Sequence, residues 1–171
     1  PYLAKSPAEV FIKTLVFDQL YLNNGTSNII EAHRFDSLNK EHQFKIIENK
    51  MFHDSSVLST KDIHLLFKRL ISNHITNPKV GSMFSSMEGY STVNWLRKNR
   101  SILDSLPIGF KLIDDRNFSI KLTKNADSLI NWLSEPEFII TKERKGGYIG
   151  TGNYIISHSN EDINYQLIRV R

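Results

Sequence analysis

Phe44-Lys45-Ile46-Ile47-Glu48-Asn49-Lys50-Met51-Phe52-His53-Asp54, followed shortly by Leu58-Ser59-Thr60-Lys61-Asp62-Ile63, is the passage on which the fold turns. Its first part alternates: Phe44 and Ile46 fall on one side of an extended chain, with Lys45 and Ile47 on the other. That is the period of a strand with one well-buried and one partly buried face. Its second part opens a helix. Ser59 can cap, and Asp62, three residues on, can complete the box and favour the positive helix end. Ile63, Leu66, Phe67, Leu70 and Ile71 then recur at helical spacing, one apolar stripe ending near Ser72. A strand, a turn at His53-Asp54 and an amphipathic helix therefore follow in order.

Working outward, the same mixture continues. Ser6-Pro7-Ala8-Glu9 is a helix start, with Ser6 as cap and Pro7 at the first helical position. Residues 10–22 that follow are apolar on several sides (Val10, Phe11, Ile12, Leu15, Val16, Phe17, Leu20), which predicts a helix buried between layers. Asn23-Asn24-Gly25 turns the chain, and a strand over residues 28–35 leads through a polar stretch, 36–41, into a strand over 43–48. Residues 79–107 give no clean pattern, although Trp95 and Leu96 read as inward-facing. Residues 109–122 read as a hairpin about Asp114-Asp115-Arg116-Asn117, with Phe118, Ile120 and Leu122 alternating beyond it. A short helix over 126–133, a strand over 138–141, a glycine-crowded loop and a final strand pair over 154–157 and 164–171 complete the chain. Residues 1–171 read as a single domain of mixed α/β (α+β) class, a mixed sheet with flanking helices and several antiparallel strands.

The totals narrow function. With 171 residues, 40% apolar and 23% charged, the chain can bury a true core. A formal charge of +4 is modest for a nucleic-acid binder, and the densest cationic cluster, Lys142-Glu143-Arg144-Lys145, carries its own glutamate and reads as a solvated turn. There is no cysteine, which removes disulfides, thiolate ligands and cysteine nucleophiles from this chain and fits export without proving it. No stretch is long and apolar enough for a membrane span, and a chain opening on Pro1 without a signal-peptide pattern reads as a processed piece of a longer protein.

Four constellations invite chemistry. His53-Asp54, with Ser55 and Ser56 beside it, suggests a hydrolytic triad. Neighbours on an extended chain point to opposite sides, however, and no Gly-x-Ser-x-Gly elbow exists, so a structural turn is expected. The six histidines are scattered with no metal-ligand spacing, so no metal site is assigned. Gly146-Gly147-Tyr148-Ile149-Gly150-Thr151-Gly152 resembles a phosphate loop only in its glycines. It lacks the terminal lysine and runs into the strand-like Asn153-Tyr154-Ile155-Ile156, so the glycines are read as permitting a tight backbone crossing. Asp114-Asp115 sits where a turn is expected. No catalytic residue and no cofactor follow from these residues.

The order of the segments does carry a resemblance. The passage opened above resembles the signature of bacterial extracellular solute-binding proteins of family five, the oligopeptide-, dipeptide- and nickel-binding components of ABC importers. There a strand enters a Phe-His-Asp-Gly turn and then a Leu-Thr-Ala-x-Asp-Val helix start. Phe110-Lys111-Leu112-Ile113-Asp114-Asp115-Arg116-Asn117-Phe118-Ser119-Ile120-Lys121-Leu122 is similar to the family's Asp-Asp hairpin, and Gly150-Thr151-Gly152-Asn153-Tyr154 to its Gly-Thr-Gly-Pro-Tyr. Ser55 departs from the family's glycine, Asn153 from its proline and Lys61 from its alanine.

The resemblance implies part of lobe I of a two-lobed, class II periplasmic-binding-protein-like fold, an N-terminal lobe fragment that binds a peptide or other small solute without catalysis. It implies an ABC permease as partner and an extracytoplasmic place, periplasmic or as an anchored lipoprotein. The SgrR-type transcriptional regulators, in which a solute-binding domain is fused to a separate DNA-binding head, give the alternative: a cytoplasmic ligand sensor that meets DNA only through that head. Tyr90 and Trp95 are the candidate ligand-binding residues, an aromatic wall set against the commoner core role of such side chains. Apolar surface left by a missing lobe would also favour self-association.

Overall fold

The computed structural model describes residues 7–72, 77–99, 106–145, 147–158 and 165–170. The first helix, α1 (Pro7–Val16), is shorter than its apolar run. Beyond Phe17 the chain extends: the Leu20 amide donates to the Phe138 carbonyl at 2.9 Å, and Gln19 bridges Ile139 antiparallel. The expectation of a helix to residue 22 buried all round therefore fails. Val16, Phe17 and Leu20 are buried, but Phe11 is 63% exposed. Tertiary pairing with the 138–140 segment takes the end of the run out of the helix, a competition that a hydrophobic pattern cannot register. Ser6, the expected cap, lies outside the described residues. Asn23-Asn24-Gly25 turns the chain as expected, with Gly25 at φ 77°.

Strands β1 (Ile30–Asp36) and β2 (Glu41–Ile46) form an antiparallel hairpin. Its turn is held by the Asp36 carboxylate, which accepts from the Leu38 and Asn39 amides at 3.0 and 3.1 Å. Strands β3 (Phe110–Leu112) and β4 (Asn117–Lys121) form the second hairpin, about the Asp114 turn expected. The four combine in the order β1-β2-β4-β3, every neighbour antiparallel. Register gives this sheet two unlike faces. His33, Phe35, His42, Phe44, Ile46, Phe118, Ile120 and Phe110 share one; Arg34, Gln43, Lys45, Asn117 and Lys111 share the other. The apolar face packs on the helices, the usual solution for an antiparallel sheet with one wet side.

Helix α2 (Thr60–Ser72) buries Ile63, Leu66, Phe67, Leu70 and Ile71, as its stripe requires. The Phe67 ring joins three parts of the fold, lying 5.9 Å from Phe84, 4.8 Å from Phe110 and 5.5 Å from Phe138 between centroids. The passage that gave no clean pattern holds α3 (Pro78–Ser86) and α4 (Tyr90–Asn99). Asn77 caps α3 by accepting from the Lys79 amide at 2.9 Å, with Pro78 at the first helical position, a start signal that was available in the sequence. Residues 126–133 form a 3-10 turn (Ala126–Ser128) leading into α5 (Leu129–Leu133). The expected strand over 138–141 is extended chain that bridges Gln19 at Ile139 and takes the Arg69 guanidinium on the Thr141 carbonyl at 3.1 Å. Pairing proper begins at β5 (Lys142–Arg144), opposite β6 (Gly147–Ile149). Part of the glycine run is thus strand rather than loop. β7 (Tyr154–His158) and β8 (Tyr165–Arg169) close the chain as a separate antiparallel pair. Tyr154, Ile156 and Leu167 from that pair pack on Val16, Phe17 and Ile139, a second apolar cluster beside the main core.

The start of α2 differs in detail from the expected box. The Asp62 carboxylate takes both the Ser59 amide, at 2.9 Å, and the Ser59 hydroxyl, at 3.0 Å. The hydroxyl is therefore a donor and caps no helical N–H. The β3–β4 turn does part of that work, its Asp115 carbonyl accepting from the Thr60 amide at 3.0 Å. Asp62→Ala removes the acceptor of both bonds and should lower stability by about 1 kcal/mol. Ser59→Ala, which keeps the amide contact, should lower it by less than half as much. Urea unfolding of the two variants checks the order, and a larger loss for Ser59→Ala would contradict the geometry.

Candidate functional site

Two of the three signature segments, the His53 turn and the glycine segment, meet at one joint. Phe52 to Ser55 form a tight turn, the Ser55 amide donating to the Phe52 carbonyl at 2.9 Å and Ser55 itself at φ 63°. That left-handed backbone favours glycine, which gives a physical reason for the glycine of the family signature at this place. Ser55 holds the conformation at some local cost.

The turn presents His53 to the glycine segment. The His53 amide donates to the Gly150 carbonyl at 3.0 Å. The Gly150 amide faces Nδ1 at 3.3 Å, and Nε2 lies 3.0 Å from the Gly152 carbonyl. These partners fix the tautomer: Nδ1 accepts, so Nε2 carries the hydrogen and donates. Both ring nitrogens are thus committed to backbone. Asp54 turns away from His53. One of its oxygens accepts from the Ser56 amide at 3.0 Å and the Ser56 hydroxyl at 2.5 Å; the other pairs with the Arg144 guanidinium. These bonds, with Ser56 the larger influence, hold the Asp54 carboxyl well below the usual carboxylate range. A triad needs a histidine with one nitrogen free for the nucleophile and the other on the carboxylate. Neither condition is met. The expected structural turn is present, and the His53 ring and amide fasten it to residues 150–152.

The glycines are where they are for want of space. A Cβ on Gly150 would stand 2.2 Å from the Val16 carbonyl oxygen, and one on Gly152 2.5 Å from that of Leu15. The Gly152 amide donates to the Val16 carbonyl at 3.0 Å, closing the end of α1. Between them, buried Thr151 donates its hydroxyl to Asp18 Oδ2 at 2.9 Å. The same oxygen takes Lys50 Nζ at 2.8 Å, and Asn28 reaches Oδ1 at 3.3 Å. One carboxylate therefore ties together the exit of α1, the approach to β1, the residues after β2 and the glycine crossing. Nothing in the sequence spacing singled out Asp18.

The cationic cluster is not the solvated turn expected of it. Lys142 Nζ donates to the Ser56 hydroxyl at 2.8 Å and lies 5.2 Å above the Phe52 ring, while Arg144 holds Asp54. Strand β5 thus pins the His53 turn from a second side. Asp114 is fully engaged in its own turn, accepting from the Arg116 and Asn117 amides at 2.8 and 2.7 Å. Tyr90 opens α4, half-buried, 6.1 Å from Phe84 between ring centroids and packed on the main core. Trp95 lies on the same helix, but its side chain is outside the described residues. Among the described residues no group of three or more His, Asp or Glu side chains is arranged to hold a metal ion, and no helix is long and apolar enough to cross a membrane.

This architecture has close counterparts among solved structures. The pheromone receptor PrgZ, described with its mode of peptide binding, superposes with a TM-score of 0.76 at 13% identity, over 99% of this chain and 36% of its own. The substrate-binding domain of an oligopeptide ABC transporter from Bacillus anthracis str. Ames gives 0.73 at 15% identity, over 97% and 34%. The Escherichia coli murein tripeptide binding protein MppA gives 0.71 at 16%, over 94% and 33%. No protein-family model matches the chain, and neither does any curated protein sequence. The chain is a mixed α/β unit with the fold of a segment of a two-lobed periplasmic binding protein, and it spans about a third of the length of these structures.

The joint yields a test of its role. His53→Ala leaves the Gly152 carbonyl and the Gly150 amide without their ring partners and should lower stability by about 1–3 kcal/mol. No esterase or peptidase activity should accompany the wild-type protein. Hydrolysis by the wild type that disappears in a His53→Ala protein of unchanged stability would make the pair catalytic after all.

Proposed function

We propose that this chain is one lobe of a solute-binding protein that delivers a peptide or related small solute to an ABC permease, outside the cytoplasm and without catalysis. The observation that carries the reading is the superposition on PrgZ, TM-score 0.76 over 99% of this chain. The named ligands of the superposed proteins supply the substrate class: peptide for PrgZ, oligopeptide for the Bacillus anthracis transporter, murein tripeptide for MppA. The joint supports the non-catalytic half of the proposal, because its one histidine–aspartate pair is spent on backbone and on Arg144.

In this reading the lobe is one jaw of a clamp. Such a clamp binds by closing about a hinge and burying the ligand between two walls. Tyr90 and Trp95, both on α4, are the residues proposed for the aromatic part of this wall. The rest of the wall and the groups that fix ligand orientation belong to the opposing lobe.

One jaw leaves half of a ligand in water and lacks the opposing polar groups, so the cost of immobilising the ligand is not offset. Calorimetry of the 171-residue chain against a library of di- to hexapeptides and sugar phosphates should give Kd values of about 1 mM or weaker. The longer protein containing it should bind one peptide class in the micromolar range or tighter. Micromolar binding by this chain alone would place a complete site within it and refute the two-jaw reading.

A further inference from the structure

His33 and His42, which no part of the solute-binding reading uses, form a chain of hydrogen bonds from the surface to the interior. His33 lies on edge strand β1 and is exposed; His42 lies on β2 and is 2% exposed. His33 Nε2 is 2.8 Å from His42 Nδ1, and His42 Nε2 is 3.1 Å from the Ala126 carbonyl. A carbonyl only accepts, so His42 Nε2 carries a hydrogen and its Nδ1 is the acceptor for His33 Nε2–H. Both rings are neutral in this arrangement. They are held flat in an aromatic stack, Phe35 lying 4.3 Å from His42 and Phe44 lying 4.8 Å from His33 between centroids.

We infer that this pair is an acid-operated latch on the sheet edge: neutral, it fastens edge strand β1 to β2; doubly protonated, it releases β1, while His42 Nε2–H keeps its bond to the Ala126 carbonyl. The asymmetry of the bonds dictates the order. A first proton goes to His33 Nδ1, and the His33 Nε2–H bond to His42 survives it. A second proton has only His42 Nδ1 to occupy, where the His33 hydrogen already points. Taking it breaks the bond and sets two cationic rings 5.1 Å apart beside a buried aromatic cluster.

The surroundings offer little compensation. From β1, Phe35 faces His42, while Arg34 and Asp36 fall on the other face and Glu31 is engaged by Lys45 and Arg116. From β4, apolar Ile120 stands opposite; Lys121 lies on the far face, paired with Glu88. From its own strand, Glu41 faces away and accepts from Ser119. Lys40 is held on the Thr123 carbonyl. From the turn at Ala126, Asp127 is the one carboxylate that favours a charged His42. Burial outweighs it and, with His33 adding repulsion, pushes His42 down to about 4 from the ordinary 6.5. A ring depressed in the folded protein binds its proton more readily in the opened one. The latch is therefore fully closed above about pH 6.5 and loses hold as the pH falls toward 4.

Amide hydrogen exchange, corrected for intrinsic rates, reads the latch directly. Between pH 7 and pH 4 the protection of amides in β1 should fall about a hundredfold, and that of residues 129–133, β4 and α2 much less. His42→Gln can donate to Ala126 and accept from His33 but cannot titrate, and should abolish the acid response. Should that variant not fold, the ring nitrogens of wild-type His42 can be followed by NMR, and protonation of Nδ1 should coincide with the loss of protection. Uniform loss across the sheet, an unchanged response in His42→Gln, or His42 protonation with protection intact would each overturn the latch.

Discussion

The passage of Gly150, Thr151 and Gly152 across the last turn of α1 is the constraint on which the rest of this structure depends. Two stretches of backbone approach closely enough that a methyl group at either glycine would overlap a carbonyl oxygen. Such an approach exposes carbonyl and amide groups that must find partners, and they do. The end of α1 closes on the Gly152 amide, and the His53 ring and amide take up the Gly150 and Gly152 groups. Residues 53 and 150 are distant in sequence, so this joint makes one unit of what would otherwise be a sheet-and-helix body and a detached hairpin.

Charged side chains from several segments converge on the joint. Asp18 meets Lys50 in a mostly buried pair and also accepts from Thr151, so its desolvation is offset by several partners at once. The Arg144 and Lys142 contacts to the His53 turn are more exposed, and exposed pairs contribute little individually. Their value is geometric: they hold β5 against a turn whose Ser55 occupies a backbone region that a side chain disfavours. Residues that in isolation suggest catalysis or anion binding are here the fasteners of a binding fold.

Much of this was legible in the sequence where local chemistry and tertiary demand agree. The α2 stripe, the two hairpins and the Asp114 turn follow from periodicity and turn residues, and Gly150 and Gly152 were rightly assigned to a close crossing, whereas Gly147 has open space about it. The failures are equally physical. Phe17 and Leu20 continue the apolar spacing of a helix, but residues 18–20 pair with 138–140, a choice made by a distant segment. Helices α3 and α4 carry weak stripes, and only Asn77-Pro78 announced the first of them. The His33–His42 chain was invisible because cross-strand register, not spacing, brings the rings together. Asp18 was missed for the same reason.

The His53 turn and the glycine segment build a structural joint whose spacing tolerates no side chain at Gly150 or Gly152. Urea unfolding of Gly152→Ala tests it most directly. A Cβ there would stand 2.5 Å from the Leu15 carbonyl oxygen, which backbone cannot yield cheaply. The account predicts a loss of about 2 kcal/mol or more, accompanied by altered NMR signals of the His53 ring. Stability within about 0.5 kcal/mol of wild type, with the His53 signals unmoved, would contradict it.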